Sequence, residues 1–106
     1  MDIRISTEGR FTLLAISGEV DLYQSPKARQ QILSCLQSKQ NLLVDLSAVE
    51  YIDSSGVASL VEGFQTAKRS ALEFGLIGVS DAAMRVLQLA RLDKVFPIHK
   101  SLDDLV

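Results

Sequence analysis

The four residues Asp53-Ser54-Ser55-Gly56 stand directly before an apolar pattern of helical spacing. The first turn of a helix leaves backbone N–H groups without partners, and a carboxylate or hydroxyl just ahead of it can accept from them. On that reading Asp53 or Ser54 caps the helix, Ser55 begins it and Gly56 permits a tight start. A second use of the same residues is regulatory. A phosphoryl group on an exposed serine here adds about -1.5 to -2 charges at neutral pH and three strong acceptors at the end of a helix. Local charge bears on this second use. Between Leu42 and Thr66 the charged residues are Asp45, Glu50, Asp53 and Glu62, with no Lys or Arg. A partner docking on such a stretch is expected to supply basic or amide donors, and an added phosphate would disturb a close contact.

Other chemistry finds less support. His99 is the single histidine and lies far along the chain from Ser54, whereas a Ser-His-acid site needs an arranged base and an orienting group. Asp45 and Asp53 lack the glycine-rich phosphate loop ending in Lys-Ser or Lys-Thr, and two acids alone specify neither phosphoryl transfer nor a magnesium site. Cys35 falls on or beside an apolar helical stripe, where a small buried residue is the expected reading. As the lone cysteine it cannot form an internal disulfide, and with His99 it makes no metal-ligand spacing. Met84 is expected to fill packing space. A catalytic centre, a metal site and a cofactor are therefore not expected.

Composition agrees with a binding role. The chain has 106 residues, 11 Lys plus Arg against 13 Asp plus Glu, and a formal charge of -2. Interspersed signs offer no cationic face for a phosphate backbone, so direct nucleic-acid binding is not expected. The apolar runs fall far short of the roughly 20 residues that span a bilayer. The opening MDIRISTEGR lacks the basic start and apolar stretch of a signal peptide. A cytoplasmic protein without membrane insertion is expected, with residues 1–106 forming one domain.

The elements that must position Asp53 to Gly56 follow from hydrophobic spacing. IRIS at 3 to 6 and FTLLAISG at 11 to 18 flank the turn residues Glu8-Gly9-Arg10 and predict a hairpin. The second strand is apolar on both faces. Ser25-Pro26 reads as a cap followed by proline in the first turn, opening a helix through 37 with Ala28, Ile32, Leu33 and Leu36 on its buried stripe. LLVDL at 42 to 46 predicts a central strand with parallel neighbours. Residues 57 to 71 carry a second helical stripe of Val57, Leu60, Val61 and Phe64, and Gly63 within it marks either a close helix approach or a weak point. LEFGLIGVS at 72 to 80 is a further strand, and Ser80-Asp81 opens a third helix. VFPIH at 95 to 99 reads as an edge strand because Pro97 removes a ladder donor. Ser101 and the two following acids predict a short last helix. The result is an α/β fold with one mixed central β-sheet and helices packed mainly on one side. Tyr23 or Phe96 is expected to cover part of the other side.

The run VDLSAVEYIDSSGVASL, the earlier Gly18-Glu19-Val20-Asp21 and the later LEFGLIGVSDAAMRVLQLARLDKVFPI resemble a STAS domain of the bacterial anti-sigma factor antagonist type. The resemblance spans nearly the whole chain, and Asp-Ser-Ser-Gly after an apolar strand is its most specific part. It implies a STAS-like fold and a protein that is phosphorylated rather than catalytic. Ser54 is the implied acceptor, with Ser55 secondary, and Asp21, Asp53 and Gly56 belong to the same switch surface. The implied partners are an anti-sigma factor with serine-kinase activity, captured while Ser54 is unmodified, and a serine phosphatase that acts on the phosphorylated form. STAS domains also occur as subunits that bind the ATPase of phospholipid-transport ATP-binding-cassette complexes. Gly56-Val57-Ala58 departs from the frequent Gly-Leu-Gly of the family, which leaves that alternative partner open.

Overall fold

The computed structural model describes residues 1–105. β1 (Asp2–Glu8) and β2 (Phe11–Val20) form the hairpin. Its turn places Gly9 at φ 61°, a backbone conformation open to a residue without Cβ. From there each connection passes through a helix or loop long enough for a crossover. β2, β3 (Asn41–Ile52), β4 (Phe74–Ile77) and β5 (Ile98–His99) accordingly run parallel in one sheet ordered β1-β2-β3-β4-β5.

α1 (Ser25–Gln37), α2 (Ser54–Arg69) and α3 (Asp81–Leu89) contribute to one core. Leu14, Ile16, Leu42, Val44 and Leu76 from the sheet meet Ile32, Leu36, Leu60 and Leu87 from the helices. Burying each Leu or Ile side chain contributes about 1.5–3 kcal/mol before conformational entropy is counted. The mixed sheet and its single helical layer are as expected.

Gly63 is where α2 meets α1. A Cβ there would lie 2.6 Å from Ile32 Cγ2 and 3.0 Å from a ring carbon of Phe74, so the glycine serves close approach. The buried Ser59 reinforces the same contact, its hydroxyl donating to the carbonyls of Ser55 and Ser25 at 3.1 and 3.4 Å.

β3 extends well past residue 46. Ala15 pairs with Asp45 but Ser17 with Ala48, and Gly18 pairs with Val49 but Glu19 with Tyr51, so β3 carries two extra residues against β2. On the helical side its buried positions consequently run Leu42, Val44, Leu46, Val49, Ile52, and the period-two pattern dissolves in the second half. These bulges carry the strand to the point where Asp53 begins the site.

Four expectations are corrected. Ser25 is the first helical residue and is buried, with Gln24 at the cap position. Phe96 packs on the helical side, its ring centroid 5.4 Å from that of Phe64 and 6.3 Å from that of Phe74. Tyr23 covers nothing, being 88% exposed. The helix-free face is instead covered at Phe11, Leu43 and Ile77, where Leu13, Leu102 and Leu105 pack. Leu102–Leu105 form a single 3₁₀ turn in place of the expected short helix.

Candidate functional site

Asp53 leaves β3 in extended geometry and caps α2. Its Oδ1 accepts the backbone N–H of Ser55 at 2.9 Å and of Gly56 at 3.2 Å, two of the donors that a helix start leaves unpaired. The same oxygen accepts the Ser55 hydroxyl. That side-chain bond, ahead of the backbone bonds from Gly56, Ser55 and Leu22, holds the Asp53 carboxyl below the usual carboxylate range. Asp53 is therefore a fixed anion at the mouth of the helix.

The two serines differ in consequence. Ser55 is half-buried and its hydroxyl is committed to Asp53. Ser54 is exposed, and its side chain enters none of the hydrogen bonds found among the described residues.

Gly56 seats this turn against the sheet. A Cβ there would stand 2.6 Å from Ile52 Cγ1, 2.9 Å from the Val20 carbonyl oxygen and 3.0 Å from Val20 Cγ1. The backbone oxygen cannot yield as a flexible side chain would. Asp53 N–H also donates to the Val20 carbonyl at 3.3 Å, so the start of α2 is joined to the end of β2.

Asp21 follows Val20 and organises the next loop. Its Oδ1 accepts the backbone N–H of Tyr23 at 3.1 Å and of Gln24 at 3.0 Å, while its carbonyl accepts from Gln24 and Ser25. Asp21, rather than Ser25, thus gives the start of α1 its side-chain support. Asp21, Asp53, Ser54, Ser55 and Gly56 thus come together at the C-terminal ends of β2 and β3.

Comparison with known proteins places this arrangement in a family. The family model described as STAS domain matches residues 2–105. The chain belongs to the STAS domain family. The STAS domain is 31% identical over 85 residues to the anti-sigma-B factor antagonist of Listeria monocytogenes, covering 78% of this chain and 74% of that protein. Its fold is similar to that of an anti-sigma factor antagonist from Mycobacterium paratuberculosis, with a TM-score of 0.88, 29% identity and coverage of 97% of this chain and 88% of that one. The Bacillus cell fate determinant SpoIIAA in its phosphorylated form shares the fold at a TM-score of 0.76 and 16% identity, covering 98% and 96% of the two chains.

The acids of this STAS domain are distributed differently from their order in the sequence. Glu62 lies on α2 and pairs with Arg29 of α1 at 2.8 Å. Asp45 shares a cleft with Asp2, Arg4 and Ser47 and accepts the Ser47 N–H at 2.8 Å, away from the α2 start. Glu19, by contrast, pairs with Tyr51 across the strands and joins Asp21, Glu50 and Asp53 at the same end of the sheet. Its contribution was hidden because it comes from β2.

The remaining reactive side chains stand apart from this end. His99 is in the short edge strand β5. Cys35 is buried in the main core, and loss of hydration pushes its thiol pKa up, away from the reactive thiolate. Among the described residues no group of three or more His, Cys, Asp or Glu could hold a metal ion, and no helix is long and apolar enough to cross a membrane.

Proposed function

We propose that this protein is an anti-sigma factor antagonist controlled by phosphorylation of Ser54. In the cytoplasm it binds an anti-sigma factor with serine-kinase activity while Ser54 is unmodified. Phosphorylation weakens that capture, and a serine phosphatase restores it. The chain acts by binding and supplies no catalytic group beyond the hydroxyl that is modified.

The observation that carries this reading is the difference between the two serines. Ser54 presents a free, exposed hydroxyl, whereas Ser55 is held by Asp53. In the transfer, a bond forms between Ser54 Oγ and the γ-phosphorus of ATP, the bond to ADP breaks, and the hydroxyl proton passes to a base on the kinase. The relatives named anti-sigma factor antagonists and the phosphorylated state of a fold neighbour support the same reading.

The local electrostatics give phosphorylation a direct effect. A helix N-terminus ordinarily favours an anion. Here the N–H groups of Ser55 and Gly56 already serve Asp53, and that of Val57 serves the Asp53 carbonyl. A phosphate on Ser54 therefore meets a carboxylate beside it. Within a packed interface it adds like-charge repulsion and loss of hydration without any change of fold.

Titration of the purified anti-sigma factor with wild-type protein, Ser54→Ala, Ser54→Asp and Ser54→Glu tests this. Ser54→Ala is expected to bind like the wild type and to resist switching by ATP, and both acidic variants to bind more weakly. Equal affinity of the acidic variants and the wild type contradicts the proposal. So does binding of a transporter ATPase in place of the anti-sigma factor.

A further inference from the structure

Two of the most exposed apolar side chains in the described chain stand next to the switch. Leu22 is 66% and Tyr23 88% exposed, in the loop between β2 and α1. Isolated apolar residues on a surface are ordinary, but this pair is carried by a loop whose backbone is hydrogen-bonded. The Asp21 carboxylate holds the Tyr23 and Gln24 amides, and Val20, at the start of the loop, accepts the N–H of Asp53, which caps α2, at 3.3 Å. The backbone of the loop is thus held by Asp21 at one side and joined through Val20 to the residue preceding Ser54.

We propose that Leu22 and Tyr23 are the apolar anchor by which the anti-sigma factor grips this protein, inserting into an apolar pocket with a basic rim. The proposal rests on the reading of Ser54 as the site of that partner's kinase activity and names the contact that brings it there. A kinase that reaches the Ser54 hydroxyl must cover the adjoining loop. Residues 18–26 and 49–59 carry Glu19, Asp21, Glu50 and Asp53 with no Lys or Arg, which matches a rim of Lys and Arg on the partner. A tyrosine on a hydrogen-bonded loop has only two side-chain torsions to fix on binding, and tyrosine is enriched among residues that dominate interface energy. The anchor supplies affinity, and Ser54 at its border supplies control.

The test uses the anti-sigma factor that binds the wild type in the Ser54 titration, purified and kept free of ATP. Leu22→Ser and Tyr23→Ser are each expected to raise Kd about tenfold, and the double variant more. Their thermal midpoints should match the wild type, since both side chains are exposed. Leu89→Ser, at an 80% exposed apolar position ending α3, should bind like the wild type. If the double variant binds within about twofold of wild type while Ser54→Asp binds weakly, the anchor is refuted and the Ser54 reading stands. If the wild type binds no anti-sigma factor in the Ser54 titration, both fall. If the substitutions dissolve a homodimer and leave partner affinity unchanged, the loop joins two copies of this chain and the anchor is refuted.

Discussion

The hydroxyl of Ser55 and its backbone N–H both donate to one carboxylate oxygen of Asp53. This double contact engages the hydroxyl of one of two neighbouring serines and leaves that of Ser54 free. It also fixes the charge of the residue beside the other. Local capping and the proposed choice of Ser54 as phosphoacceptor thus rest on the same arrangement.

Because the Ser55 hydroxyl is the main reason that Asp53 titrates low, Ser55→Ala should move the Asp53 pKa back toward the ordinary carboxylate range. Carboxyl carbon NMR titration of both proteins measures this directly. The folded-state pKa lies below that of the unfolded chain, so the stabilising contribution is complete above the unfolded value. It is lost as pH falls through the folded value. The amide shifts of Ser55 and Gly56 should follow the same low transition, and an unchanged titration in Ser55→Ala would contradict the assignment.

Gly56→Ala and Gly63→Ala should both destabilise the protein by about 1–3 kcal/mol through overpacking. At Gly63 this outcome opposes intrinsic propensity, which favours alanine by roughly 1 kcal/mol within a helix. The clashes with Ile32 and Phe74 decide the sign. Urea unfolding of the two variants checks both values, and a stabilised Gly63→Ala would refute the close-packing explanation.

Asp21→Ala should lower stability by about 1 kcal/mol, the usual effect of removing a side-chain cap. Asp21→Asn keeps an acceptor for the Tyr23 and Gln24 amides and should retain most of it. Hydrogen exchange at those two amides separates the variants. Faster exchange only in Asp21→Ala is expected, and equal protection in both would remove Asp21 from its organising role.

Much of this arrangement was legible in the residues themselves. β2 shows apolar side chains on both faces because Leu14 and Ile16 meet the helices while Phe11 and Leu13 meet the C-terminal turn. The second half of β3 was concealed by its bulges, which turn a two-residue period into steps of three. Ser25-Pro26 has the form of a helix cap, yet the preceding loop already receives its acceptor from Asp21. Within the site, Asp53-Ser54-Ser55-Gly56 was recognisable as a helix start, but spacing alone cannot say which serine Asp53 engages. The acidic stretch from 42 to 66 also divides in space, since Asp45 lies in another cleft and Glu62 reaches Arg29.

The most direct test of the central claim is to incubate the wild type, Ser54→Ala and Ser55→Ala with the purified anti-sigma factor and ATP and to map phosphate by fragment mass spectrometry. Phosphate on Ser54 in the wild type and in Ser55→Ala, with none on Ser54→Ala, is the expected result. Phosphate on Ser55, or phosphorylation that persists in Ser54→Ala, would contradict it.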